Sequence, residues 1–317
     1  MKILLATPSR PGNATGNAAT SGRWARLLRE LGHTVSLVEH YDGTAADLLI
    51  ALHARKSATT VDRFRRAFPG RPVVVGMAGT DLYLDLQESE RTRRTVEAAT
   101  RIVVLQKLAL QELPRSVRRR AVVIEQSARP PMTRTAPLTS CFEVLVIANL
   151  RAVKDPLRTA LATRGMPVES RIRVTHVGAP LHAGYEQRAT RETASNPRYR
   201  YVGRQPHGRT MRLVQRARVL CLTSKAEGGA NVLGEAIACG TPVLASRIDG
   251  SLGLLGADYP GLFEVGATAE LRELLLRVER DPRFLRQLAA AGRRLAPLFT
   301  PAREKTAWRR LLQSLKP

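Results

Sequence analysis

The sequence predicts an α/β protein of two domains, each a parallel sheet covered by helices on both faces. Three observations carry this. Short β-branched or leucine-rich runs alternate with helical patterns along almost the whole chain, the mark of right-handed β-α-β units. At 317 residues the chain exceeds one core, and two domains of roughly 150 residues each follow. Residues 126–140 (QSARPPMTRTAPLTS) hold three prolines and little periodicity, and the alternation restarts behind them.

In the first half, residues 2–6, 34–39, 47–52, 72–76, 101–105 and 121–125 read as buried strands. Residues 21–31 read as an amphipathic helix stopped by Gly32, with Thr20 or Ser21 as its cap. In the second half, residues 143–148, 171–177, 199–202, 219–223 and 241–245 read as strands. Helices are expected at 155–164, 210–216, 231–239, 271–279, 283–294 and 303–315. The domains are placed at 1–134 and 135–300. Whether the terminal segment 301–317 packs back on the first domain is open at this stage.

The chain carries 51 Lys and Arg against 27 Asp and Glu, a formal net charge of +24, and only seven of the cations are lysines. Such a field attracts polyanions, anionic membranes or phosphorylated small molecules. A general bias toward arginine on a solvated surface explains it equally well. Aromatic residues make up 4%, and no helix-turn-helix, RNA-recognition or zinc pattern is present, which argues against nucleic acid as partner. Basic RSVRRR (115–120) reads as a solvated connection. Cys141, Cys221 and Cys239 lack metal-type spacing and read as buried thiols of a reducing compartment. The apolar run in MKILLATPSR is too short for a signal peptide, and no stretch reaches membrane-span length, so a cytoplasmic location is expected.

The segment that carries chemistry is KAEGGANVLGEAIACG, residues 225–240. A strand, VLCLTS, ends at Ser224; a loop follows, and then a helix closed by Gly240. Gly228 and Gly229 allow backbone close to a ligand. The unpaired N–H groups at the helix start, around Ala230, Asn231 and Val232, suit a phosphate. Glu235 lies one turn in, where a carboxylate can accept two hydrogen bonds from a ribose diol. A helix with an ordinary cap and paired glutamates is the plain alternative. A second candidate is IANLRAVKDP (147–156), with Arg151 and Lys154 as phosphate clamps or, alternatively, solvated cations. In the first half, ATPSRPGNATGNAATSGRWARLL offers Arg10, Gly16, Asn17, Thr20 and Arg23 to an acceptor. LHARKS places His53, Arg55 and Lys56 at a strand's carboxyl end, and GMAGTDLYLD adds Thr80 and Asp81, with Asp85 read as a helix surface charge.

The spacing of Glu227 and Glu235 resembles the E-x7-E motif of retaining GT-B glycosyltransferases, the nucleotide-sugar family that includes sucrose synthase-like enzymes. That resemblance implies two Rossmann-like domains whose parallel sheets face across a cleft, the acceptor on the first domain and the nucleotide sugar on the second. It implies Glu235 on the nucleotide ribose, Glu227 beside the donor sugar, and Lys154 on the diphosphate. The family's arginine position is Asn149 here, with Arg151 two residues later. Many relatives place a histidine where this chain has Ala78. That suggests an acceptor already ionised, or Asp81 as a different base. No metal or other cofactor is expected.

EGGANVLGEAIACGTPVLAS, GLLGADYPGLF, LALQELP, GTDLY and DLLIALHARKS together resemble the selenosugar synthases of selenoneine biosynthesis. This closer resemblance implies that selenophosphate attacks the anomeric carbon of a UDP-sugar, UDP-N-acetylglucosamine, and that UDP leaves as a carbon–selenium bond forms. Selenophosphate is a small ionised nucleophile, which accommodates Ala78, and Arg10, Arg23, Arg55, Lys56 and Thr80 are its candidate partners. The alternatives are a GT-B O-glycosyltransferase acting on a lipid or polysaccharide and, more distantly, a nucleic-acid-binding protein. The anomeric outcome and the oligomeric state are not set by the sequence.

Overall fold

A computed structural model describes residues 1–9 and 15–315 of the chain. It divides into two compact units: Met1–Gln126 with Glu227–Gly229 and Pro301–Pro317, and Ser127–Ala226 with Ala230–Thr300.

The first unit is built on six strands: β1 (Lys2–Ala6), β2 (Thr34–Val38), β3 (Leu48–Leu52), β4 (Val73–Gly76), β5 (Arg101–Val104) and β6 (Ala121–Val123). Their order is β2-β1-β3-β4-β5-β6, and every neighbouring pair is parallel. β3 reads LLIAL with all five residues buried, because helices cover both faces of the sheet. Phe64 of the Ala54–Ala67 helix sits in the core on one face. Trp24 and Trp308 sit in the core on the other. Their rings meet edge to face at 4.9 Å between centroids, which brings the terminal helix Pro301–Gln313 against Gly16–Glu30. Gly76 makes room for this: a Cβ there would stand 2.6 Å from the Trp24 ring.

The first helix begins earlier than the expected residue 21. It runs Gly16–Glu30, and Thr15 caps it by accepting Ala18 N–H at 3.2 Å. Alanines 18 and 19 extend the helical pattern backwards, so Thr20 and Ser21 lie buried inside it rather than at its start.

The second unit repeats the plan with β7 (Phe142–Ile147), β8 (Ile172–Val177), β9 (Tyr199–Tyr201), β10 (Val219–Leu222), β11 (Val243–Ser246) and β12 (Leu262–Phe263). The order is β12-β11-β10-β7-β8-β9, again parallel throughout. The helix expected at 155–164 shortens to Arg158–Thr163, preceded by a 3₁₀ turn at Ala152–Lys154. Proline at 156 disfavours helical backbone for Asp155, which takes φ 41° and separates the two turns. Among the described residues no helix is long and apolar enough to cross a membrane.

Candidate functional site

In each sheet the strand order reverses once, between β1 and β3 and between β7 and β10. Open α/β sheets bind ligands where two segments leave the strands' carboxyl ends at such a reversal.

In the second unit, those segments are residues 148–155 and residues 223–226 with 230–231. They are tied to one another. Thr223 Oγ1 donates to the carbonyls of Lys154 and Asp155 at 3.1 and 2.9 Å, and Lys225 N–H donates to Val153 at 2.8 Å. Asn149 accepts Ala179 N–H on Oδ1 at 2.9 Å and so holds the loop after β8. Arg151 Nε and Asn231 Oδ1 are buried and have no hydrogen-bond partner among the described residues. The Asn231–Cys239 helix starts on Ala230, with no side-chain cap and no acid in its first turn. Its first N–H groups and the positive end of its dipole are therefore unmatched by any side chain of the cap. Ala230 is buried, while Val232, Glu235 and Lys154 are half-buried. Burial, aided by Glu235, pushes the Cys239 thiol up to about 12, which leaves it inert at neutral pH. Cys221 is fully buried, whereas Cys141 and Cys239 are only half-buried; all three are free thiols.

Glu227, Gly228 and Gly229 group with the first unit. A Cβ on Gly228 would meet the Ala78 carbonyl at 2.8 Å, and one on Gly229 would meet Leu105 at 2.6 Å. These glycines are therefore required by protein packing. Gln126, read only as the start of a linker, is a hub. It donates to the Gly229 carbonyl at 3.3 Å and accepts from Thr20 at 2.8 Å and from Arg23. Arg23 also pairs with Glu304 at 3.3 Å. Thr20 and Arg23, offered by the sequence to an acceptor, are thus engaged inside this unit. Gly16 and Asn17 form the first turn of their helix. Arg10 lies outside the described residues.

At the carboxyl ends of β3 and β4, Asp81 is fully buried and accepts three backbone N–H groups at 2.8 Å, from Ala54, Ala78 and Gly79. This corrects its reading as an acceptor contact or base: a carboxylate so saturated clamps two loops together. Asp85, expected on a helix surface, is also buried and takes Arg55 at 2.6 Å. Thr80 is half-buried and lies 3.1 Å from His53 Nε2. Burial holds His53 below its ordinary pKa despite the opposing pull of Asp81. Among the described residues no group of three or more His, Cys, Asp or Glu is arranged to hold a metal ion.

Residues 140–295 match the family model for glycosyl transferases group 1. That part of the chain is similar to the group 1 glycosyltransferases. The group 1 region contains all of Asn149–Lys154 and Asn231–Glu235, the residues gathered at the second unit's reversal. Over its whole length the chain is similar to Anabaena Alr3699/HepE in complex with UDP and glucose: 18% identity, TM-score 0.78, covering 99% of this chain and 100% of that one. It is also similar to sucrose-phosphate synthase from Thermosynechococcus elongatus, at 17% identity and TM-score 0.77, covering 99% and 98%. A glycosyltransferase from Rickettsia africae gives 12% and 0.73, covering 99% and 98%. These likenesses establish the fold: two α/β domains, each with a parallel sheet, of the GT-B class.

Proposed function

We propose that this protein transfers the sugar of UDP-N-acetylglucosamine to selenophosphate, forming a carbon–selenium bond at the anomeric carbon and releasing UDP. The observation that carries the donor half is two unpartnered buried atoms at the second unit's reversal, Arg151 Nε in the segment after β7 and Asn231 Oδ1 at an uncapped helix start after β10. Cation and helix N–H groups suit a diphosphate, and Asn231 suits a hydroxyl or amide donor of the ligand. A structural neighbour holding UDP-glucose supports a UDP-sugar as donor.

In this reading Arg151 and Lys154 stabilise the charge that develops on the departing UDP. Glu235 takes the ribose hydroxyls, Gly228 and Gly229 lie along the sugar and diphosphate, and Glu227 positions the sugar. Thr80 contacts the acceptor. The acceptor half rests on the sequence resemblance and on Ala78, which leaves that position without an imidazole. Both reactants are substrates and the reaction needs no further cofactor. The cytoplasm, which keeps the three thiols reduced, is the compartment proposed.

The test is incubation with UDP-N-acetylglucosamine and selenophosphate, with UDP release and a selenium-bearing sugar read by mass spectrometry. Turnover on a hydroxyl acceptor with no selenosugar would reject the acceptor and keep the donor.

A further inference from the structure

The two buried histidines of this protein differ in a way that isolates one of them. His176 has both ring nitrogens occupied, by Ala148 O and Tyr199 OH, on ordinary strand backbone. His53 takes φ 71° and ψ 95°, one of two non-glycine residues with positive φ among those described. Such backbone persists only where the surroundings impose it, and it gathers at functional sites. The residue is 2% exposed, yet only one ring nitrogen is bonded, and the bond runs to the hydroxyl of half-buried Thr80. Both residues follow the carboxyl ends of strands, His53 after β3 at the first unit's reversal and Thr80 after β4.

The surroundings hold this pair in place. His53 N–H donates to Gly76 O at 2.8 Å, and its own carbonyl accepts the first turn of the Ala54–Ala67 helix through Ser57 N–H at 3.0 Å. Asp81 clamps both loops through Ala54, Ala78 and Gly79. Directly after Thr80 the chain makes a π-helical turn, Asp81–Asp85, a form frequent at functional sites. Asp81 Oδ2 stands 3.7 Å from His53 Nδ1, too far to bond but near enough to favour the tautomer with hydrogen on Nδ1. Nε2 then accepts the Thr80 hydroxyl hydrogen, and the Thr80 oxygen is left with lone pairs for a donor on the ligand.

We propose that His53 is a positioning residue that orients the Thr80 hydroxyl to accept a hydrogen bond from the acceptor substrate, through a protonated oxygen of a phosphate-like anion. The inference rests on the glycosyltransferase reading above, and deepens its acceptor side. It also supplies what Ala78 lacks: the imidazole comes from the neighbouring strand and acts through a hydroxyl.

The test is a double-mutant cycle with Thr80→Val and His53→Asn, asparagine being tolerant of positive φ. UDP release is followed with UDP-N-acetylglucosamine and selenophosphate. Each single variant should raise the acceptor KM about 3- to 10-fold, the range of one hydrogen bond, with the donor KM unchanged. Thr80→Ser should restore the wild-type value, and the double variant should be no worse than Thr80→Val. Additive losses, or losses that track melting temperature, overturn the pairing. Nitrogen-15 spectra of the His53 ring give a readout independent of turnover. Thr80→Val should shift Nε2 and leave the His176 signals in place, and an unmoved Nε2 overturns the inference even if selenosugar forms. A shifted Nε2 without selenosugar rejects the proposed substrate and keeps the pair.

Discussion

His176 donates Nε2–H to the Ala148 carbonyl at 2.8 Å while Tyr199 donates its hydroxyl to Nδ1 at 2.6 Å, a pattern that only the neutral ring can satisfy. Burial lowers its pKa from 6.5 to about 4. The unfolded chain therefore takes up a proton before the folded one, and stability is complete above pH 6.5 and lost as pH falls toward about 4. At about 1.4 kcal/mol per unit the loss is about 3 kcal/mol. Urea unfolding of the wild type and of His176→Gln, which cannot titrate, should show a stability gap that narrows through this window. A constant gap would contradict the assignment.

The ion pair between Arg23 and Glu304 joins two helices of the first unit, with the Glu304 side chain wholly buried and Arg23 12% exposed. Removing Arg23 takes this cation from a buried carboxylate and also removes its bond to Gln126, so Arg23→Met should cost about 3–5 kcal/mol. Arg23→Met with Glu304→Met should be markedly less destabilised than that single variant. Thermal unfolding of the three proteins decides it, and equal losses for single and double variants would mean the pair is not what the site depends on.

Two glycines of the first unit should respond in opposite senses to alanine. At Gly76 a Cβ would meet Trp24 at 2.6 and 2.8 Å, and the ring cannot withdraw because Trp308 packs against it. Overpacking of this kind costs about 1–3 kcal/mol. Gly22 lies within the Gly16–Glu30 helix with nothing within 4 Å of its would-be Cβ, so Gly22→Ala should stabilise by roughly 0.5–1 kcal/mol. Melting temperatures should move down for the first and up for the second.

How much of this was legible beforehand follows from periodicity. Strands such as LLIAL and VLCL announce themselves because both faces are buried, and the Asn231–Cys239 helix is bracketed by its glycines. The Ala54–Ala67 helix escaped because its buried stripe is largely small and polar: Ala54, Ser57, Ala58 and Thr60 beside only Val61 and Phe64. β12 is two residues long and leaves no pattern. At the site, the residue types and spacings were readable, but the destination of a polar side chain was not. Asp81 looked like a base and is a clamp; Arg23 looked like a ligand and bonds Gln126, 103 residues away in sequence. Such partners are fixed by tertiary structure, and one sequence carries no local trace of them.

The donor assignment makes its own division of labour measurable. If Arg151 and Lys154 hold the diphosphate, replacing either with methionine removes a charge-assisted hydrogen bond of about 1.5–3 kcal/mol. UDP affinity by calorimetry should then fall about 10- to 100-fold. The loss should shrink as ionic strength rises, because salt already screens that attraction in the wild type. Glu235→Ala removes a group assigned to the ribose, which UDP and UDP-sugar share, so both should weaken together. Glu227→Ala should leave UDP affinity near the wild-type value and slow turnover, because the sugar it positions is absent from UDP. Equal, small effects at Glu227 and Glu235 would place the nucleotide elsewhere in the molecule.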